Sequence, residues 1–311
     1  MNISVVVPVY NSSDTLHLLV DELGKVLPTV AKEYELVLVN DGSPDDSWQV
    51  VEGLTKEHCW IRGVDLMRNY GQHNAVLCGI REARYEVIVT MDDDLQHPPK
   101  EIPALVEKFN EGYDVVYGIP KKMPHSWWRN AFSVLTKYAV SYVMGFKTVR
   151  DISSFRVLNT SIRKAFETYN GPEVLVDVLF SWGTSRFTTV YVEEAPRTIG
   201  KSNYSFSKLV RVAFLVLTSY TTVPLRFASL LGFLFTIFGF FILVYVLIIY
   251  FKAGSIPGFP FIASTVVIFS GIQLFALGVI GEYLARVFER LTGKPTYKIM
   301  RTAGDNHTDQ H

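Results

Sequence analysis

Along the first 120 residues, short apolar runs ended by turn residues alternate with stretches of helical spacing. "ISVVVPVY" precedes a helical pattern over 15–26, "YELVLVNDGS" one over 46–57, "IRGVDLM" one over 71–82 and "YEVIVTMDDD" one over 101–110; "YDVVYG" follows. Strand-sized runs alternating with helix-sized ones predict βαβ units, hence an α/β domain with a mostly parallel sheet and helices on both faces. Ligands of such sheets gather beyond the carboxyl ends of the strands. Polar residues collect at those ends: Tyr10 and Asn11, Asn40 and Asp41, Arg68 and Asn69, then Asp92, Asp93 and Asp94.

Farther along the pattern changes. Between Glu194 and Glu282 there is no acidic residue, and this interval contains uncharged stretches over 227–251 and 253–281. Each exceeds the roughly 20 apolar residues that cross a bilayer as a helix. Two transmembrane helices are therefore expected at about 227–251 and 258–281, joined by the Gly- and Pro-rich "KAGSIPGFPF". Lys201, Lys208, Arg211 and Arg226 lie before the first span, and Arg286, Arg290, Lys294, Lys298 and Arg301 after the second. The positive-inside bias then puts both large ends in the cytoplasm, with the chain in the inner membrane. The expected organisation is a soluble domain over 1–205, a juxtamembrane amphipathic helix over 206–226, the two spans, and a cytoplasmic tail over 282–311 whose last ten residues are disordered.

Composition adds exclusions. Thirty basic and thirty acidic residues give no net charge, so nothing points to nucleic acid or another polyanion. Cys59 and Cys78 have neither disulfide-framework nor paired zinc-ligand spacing. The N-terminal apolar run is a few residues long and lacks a basic leader, so it is expected to be a strand and not a signal peptide. No G-x-G-x-x-G follows a strand-like run and no G-x-x-x-x-G-K-[ST] occurs, which argues against dinucleotide-binding and P-loop enzymes.

The Asp triplet carries the chemistry. In an extended segment Asp92 and Asp94 share a face while Asp93 points away. Two carboxylates aimed at one volume repel unless a cation lies between them. Mg²⁺ or Mn²⁺ fits, because such ions take one or two protein carboxylates and complete their shell with water and phosphate oxygens. Gln96, again two residues on, adds an amide oxygen. A solvated acidic turn is the plainer alternative, and His97 is either a further ligand or, preferably, a capping residue.

"VVVPVYN", "VNDGSPDDS", "RNYGQHNAVLCG" and "MDDDLQHPPKEIPALVEKFNEGYDVVYG" resemble the family 2 glycosyltransferases of GT-A fold, a Rossmann-like arrangement. With the two spans, about 290 residues resemble the polyprenyl-phosphate branch of that family. The resemblance implies nucleotide-binding roles for Pro8, Tyr10, Asn11, Asp41 and Arg68, and a D-x-D element on Asp92 and Asp94, followed by Gln96, for the metal. Position 12 departs from the pattern, with Ser12 where Glu is common. "KKMPHSWWRNAFSVLTKYAV" suits a helix in the headgroup region or an ordinary core helix; the family places a lipid-phosphate pair on it, here Arg129 and Ser133. "RTIGKSNYSFSKL" resembles a loop that closes over the site, matching Arg197, Gly200, Ser202 and Tyr204; Asn203 replaces the usual Lys, and Lys201 is the candidate substitute. "RDISSFRVLN" matches a segment lining the active site through Asp151, Phe155 and Arg156, with Ser154 where many members have Asp.

The implied reaction is inverting transfer from a nucleotide sugar, UDP-linked, to a polyprenyl phosphate such as undecaprenyl phosphate. A phosphate monoester has its second pKa near 6, so as a nucleophile at neutral pH it needs no general base. The implied assembly, by family analogy, is a homo-oligomer such as a tetramer. Two rivals remain. A processive polysaccharide synthase would carry a Q-x-x-R-W motif and more spans, and an inert membrane scaffold would be free to lose the carboxylates.

Overall fold

The structure, a computed structural model, describes residues 1–121, 152–171, 174–193, 221–253 and 258–304. The chain forms two units, Met1–Ser205 with Gly293–His311, and Phe206–Thr292.

In the first unit the alternation becomes β1 (Ile3–Val9), α1 (Leu16–Val30), β2 (Tyr34–Asn40), α2 (Ser47–Glu57), β3 (Ile61–Leu66), α3 (Gln72–Glu82), β4 (Val87–Thr90), α4 (Ile102–Asn110) and β5 (Val115–Pro120). After these come β6 (Arg156–Asn159), α5 (Val176–Gly183) and β7 (Phe187–Val192). α1 runs past the expected end at residue 26 and carries Pro28 in its last turn. There the missing donor costs only one bond to the preceding turn, while Leu27 stays buried.

Among the described residues one eight-stranded sheet runs in the order β7-β5-β6-β4-β1-β2-β3-β8, where β8 is Ile299–Ala303. Strands β4, β1, β2 and β3 are parallel neighbours, whereas β6 lies antiparallel between β4 and β5. The sheet's two faces have separate cores. Val5, Val7 and Val9 of β1 pack into one with Leu16, Leu19 and Leu23 of α1, while Val6 packs into the other with Ala75 and Leu77 of α3. This is the two-residue period of a strand buried on both sides. From β1 the chain moves outward through β2 to β3, then returns to place β4 on the other side of β1. The crevice beyond β1 and β4 is therefore the topological switch point where ligands of open α/β sheets bind.

The tail differs from its expectation. β8 (Ile299–Ala303) pairs antiparallel with β3, aligning Asp65 with Arg301, so Thr302 and Ala303 belong to the sheet edge. The Met67 N–H also donates to the Lys298 carbonyl at 2.9 Å.

The second unit contains two long helices, α6 (Val223–Ala253) and α7 (Phe259–Leu291). Candidate spans within them, Val223–Ile249 and Ile268–Leu291, have mean hydropathies of 2.7 and 1.6, and none of their most apolar windows is buried. The helices run antiparallel: Tyr283 near the end of α7 donates to the Thr221 carbonyl before α6, and Phe235 meets Phe269 edge-on at 6.3 Å. α7 extends ten residues past Gly281, where Arg286 pairs with Glu282 one turn before it and Glu289 after it. Such spacing supports an exposed helical turn. Part of the expected tail is thus helix.

Candidate active site

β1, β2 and β4 bring their carboxyl ends to one cavity of about 280 Å³, lined by Pro8, Val9, Tyr10, Asp41, Asn69, Gly71, Gln72, Asp92, Asp93 and Asp94. Each wall has a local cause.

At the end of β1, Asn11 adopts a left-handed conformation (φ 56°), and its N–H donates to Ser43 Oγ at 3.2 Å. Asn tolerates that region better than most residues, and the turn leaves Tyr10 exposed at the cavity. Beyond β2, the buried Asp41 carboxylate accepts from the N–H groups of Tyr70 and Gly71 at 2.7 and 2.8 Å, tying the loop after β3 to the loop after β2. Gly42 makes that contact possible: at φ 62° its missing Cβ would collide with the backbone of Arg68 and Asn69. Burial raises the Asp41 pKa, opposed by the two N–H donors and by Arg68. Arg68 itself lies with its guanidinium 4.4 Å above the Tyr70 ring, beside the cavity and not in its lining.

β4 stops at Thr90, so the Asp triplet sits in a turn that includes Leu95 at φ 57°. Strand alternation therefore does not govern it, and Asp93 does not point away from the crevice. Asp93 is held against the end of β1 by the Ser12 hydroxyl and by the Tyr10 N–H at 3.3 Å. Burial pushes its pKa up to about 6, against the lowering effect of these donors and with a further push from Asp92 and Asp94. Asp92 is gripped on both oxygens, by Gln72 Nε2 at 2.6 Å and Ser154 Oγ at 2.7 Å. Asp94 Oδ1 accepts from the Gln96 backbone N–H at 3.1 Å.

The described residues contain no group of three or more His, Cys, Asp and Glu side chains able to enclose a metal. Two carboxylates on one cavity, Asp92 and Asp94, nevertheless suit Mg²⁺ or Mn²⁺, which take one or two protein carboxylates and keep most positions for water and phosphate. A second feature fits the same ion: Gln96 Nε2 is buried without a hydrogen-bond partner. A half-turn of the amide would put its oxygen there instead. His97 stacks on Phe155 at 5.3 Å, has Nε2 3.5 Å from Ser153 Oγ, and keeps Nδ1 buried without a hydrogen-bond partner.

Of the residues expected at the site, Pro8, Tyr10, Asp41, Asp92 and Asp94 share the cavity, Asn11 and Arg68 adjoin its lining in sequence, and Gln96 is joined to Asp94 through its backbone N–H. Phe155 and Arg156 do not line it. Phe155 is fully buried and Arg156 is 3% exposed, bound to Asp177 and Thr90. Arg129, Ser133, Asp151, Arg197, Lys201 and Ser202 lie outside the described residues. Gln72, Asn69, Asp93 and the hydroxyls of Ser12, Ser43 and Ser154 were not assigned by sequence reasoning. Of these, Asn69 and Asp93 stand out in the sequence as polar residues at strand ends, and Ser12 and Ser154 as departures from the family pattern.

Residues 4–166 match the glycosyl transferase family 2 model. The undecaprenyl-phosphate 4-deoxy-4-formamido-L-arabinose transferase of Photorhabdus laumondii subsp. laumondii is 32% identical over 314 residues, covering 99% of this chain and 96% of its own. Among solved structures, glucosyl-3-phosphoglycerate synthase from Mycobacterium tuberculosis, in complex with Mn²⁺, UDP-glucose and phosphoglyceric acid, superposes with a TM-score of 0.51 at 16% identity, covering 70% of this chain and 77% of that one. The same synthase with Mn²⁺, UDP and glucosyl-3-phosphoglycerate gives 0.51 at the same identity and coverage. At that identity the likeness concerns the fold, and the fold is GT-A.

Proposed function

The chain belongs to glycosyltransferase family 2 and is a glycosyltransferase, and from that premise we propose that it moves a sugar from a nucleotide sugar, UDP-linked, onto a polyprenyl phosphate such as undecaprenyl phosphate. The observation that carries this reading is the convergence of Tyr10, Asp41, Asp92 and Asp94 from three strand ends on one cavity. The acceptor is inferred from the undecaprenyl-phosphate relative, which matches along nearly the whole chain, and from the two long apolar helices.

In this reading the first two strand ends hold the nucleotide through Pro8, Tyr10, Asn11 and Asp41, with Arg68 alongside. Asp94, Gln96 and Asp92 would hold Mg²⁺ or Mn²⁺, which supplies positive charge to the departing diphosphate when bound. Gln72 and Ser154 keep Asp92 in place. Arg129, Ser133, Arg197, Lys201 and Ser202 are assigned to the lipid phosphate, and Asp151 to the reacting end of the donor. An oxygen of the lipid phosphate attacks the anomeric carbon in line. A new carbon–oxygen bond forms, the bond to the β-phosphate breaks, its electron pair leaves with the nucleoside diphosphate, and the carbon inverts. The dianionic phosphate needs no proton removed, consistent with Ser154 standing where other members have a carboxylate.

α6 and α7 anchor the protein in the inner membrane, with the catalytic domain and the chain after α7 on the cytoplasmic side. We assign the catalytic domain to residues 1–205 together with β8, and a homo-oligomer formed through the membrane helices.

The deciding experiment is nucleoside diphosphate release from a panel of nucleotide sugars, with Mn²⁺ or Mg²⁺, in the presence and absence of undecaprenyl phosphate. Release that requires both the lipid and one donor is expected. Folded protein that releases diphosphate from no donor in a lipid-dependent way overturns the proposal.

A further inference from the structure

A continuous series of polar contacts leads from β8 to the end of β1. Arg301 Nε donates to Asp65 Oδ2 at 2.8 Å across the β3–β8 pair. Asp65 Oδ1 accepts from Asn40 Nδ2 at 2.7 Å. Asn40 Oδ1 accepts from the Ser43 hydroxyl at 2.5 Å, and Ser43 Oγ accepts the Asn11 N–H at 3.2 Å. Asn40 is 2% exposed and Asp65 5%, so water does not substitute in the bond between them.

The direction of every bond is set from the Arg301 end. An ionised carboxylate only accepts, so Asn40 must turn its nitrogen to Asp65 and its oxygen to Ser43. That oxygen takes the Ser43 proton, leaving the Ser43 lone pairs for Asn11. Asn11 needs the tether because its backbone is left-handed, and the same turn aims Tyr10 into the cavity. Arg301 holds the Asp65 carboxylate in place from the far side and itself lies over the Trp48 ring at 4.9 Å, with Glu52 at 3.8 Å.

We propose that Arg301, on the strand that follows the second apolar helix, is a positioning residue for nucleotide binding, acting through Asp65, Asn40 and Ser43 on the Asn11 turn. The proposal rests on the nucleotide reading of the β1 end. It makes the chain after α7 a working part of the donor site and not a passive tail.

The test measures UDP affinity in the presence of Mn²⁺, together with the KM for undecaprenyl phosphate, on the full chain in detergent. Arg301→Gln is expected to weaken UDP about tenfold while the lipid KM stays within twofold, and Arg301→Lys, which keeps the charge, to recover most of the affinity. Ser43→Ala is expected to give a similar loss, and the double variant Arg301→Gln/Ser43→Ala no more than Ser43→Ala alone, because both cut one series. If Arg301→Gln does not fold, Asp65→Asn takes its place, since an amide no longer dictates the orientation of Asn40. Wild-type affinity in Arg301→Gln, losses that multiply in the double variant, or equal loss for UDP and lipid would each overturn the positioning role. A wild-type chain that binds no nucleoside diphosphate at all overturns the functional reading and the positioning role together.

Discussion

Ser154 Oγ donates to Asp92 Oδ2 at 2.7 Å, joining the residue two before β6 to the turn after β4 across 62 positions of sequence. The hydroxyl orients the carboxylate without bringing a charge of its own, with Gln72 holding the other oxygen. Ser154→Ala removes a hydrogen bond to a charged group, worth about 1.5–3 kcal/mol. Turnover per KM should fall roughly ten- to a hundredfold, since about 1.4 kcal/mol is a factor of ten. Ser154→Asp should be worse than Ser154→Ala, because it places a second carboxylate against the first. Steady-state kinetics on the two variants check the order, and an active Ser154→Asp enzyme would show that Asp92 does not need a neutral donor.

In the proposed site Asp94 and Gln96 face the divalent ion. Asp94→Ala should lower transfer on the order of 100-fold or more, the scale of losing one preorganised electrostatic contact to a developing charge. Gln96→Ala should instead raise the Mn²⁺ concentration needed for half activity, leaving activity at saturating Mn²⁺ closer to wild type. Metal titrations of both variants, with unfolding temperature as the control for fold, separate these outcomes. Full turnover of Asp94→Ala at saturating Mn²⁺ would remove its metal role.

How much of this was legible depended on whether the signal was local. The units β1–α1 to β4–α4 announce themselves, since each pairs an apolar run with a helical spacing and a turn between them. β6 and β8 do not. β6 enters the sheet antiparallel between β4 and β5, and its neighbours are far away in sequence. β8 is an edge strand whose Met300, Arg301 and Thr302 are exposed, so "IMRTA" carries no apolar alternation to read. The triplet is legible as acidic residues at a strand end but its geometry is not, because β4 ends at Thr90 and strand periodicity ends with it. At position 154 the sequence revealed a missing carboxylate. Only the fold supplies the hydrogen bond made in its place.

Asp93 gives a pH dependence. The folded protein holds the Asp93 proton up to about pH 6, against an ordinary carboxyl value of 3.8. Between these values the folded state binds more protons than the unfolded chain, so this stabilising contribution is complete at low pH and is lost as pH rises through about 6. Relative to Asp93→Asn, the wild-type protein should lose stability at up to about 1.4 kcal/mol per pH unit within that window. Denaturant titrations of both proteins from pH 4.5 to 7.5, without divalent cations, measure the difference. A difference that stays flat across the window would mean that Asp93 is not held in a desolvated setting.

Arg156 supplies a prediction that separates structure from catalysis. Its guanidinium bonds to Asp177 in the first turn of α5 and to Thr90 Oγ1 at 2.9 Å, beneath Tyr117, whose hydroxyl donates to the same Asp177 oxygen at 2.9 Å. All three charged or polar partners of Asp177's site are essentially enclosed, and burial raises the Tyr117 pKa well above its ordinary value. Removing one member of a buried pair strands the other charge, at a cost of about 3–5 kcal/mol, whereas replacing both members by apolar groups is often neutral. Arg156→Met should therefore lower the unfolding temperature strongly, and Arg156→Met/Asp177→Leu should recover much of the loss. Activity per folded molecule should change little in the double variant. A double variant that is stable but inactive would instead place Arg156 in contact with substrate.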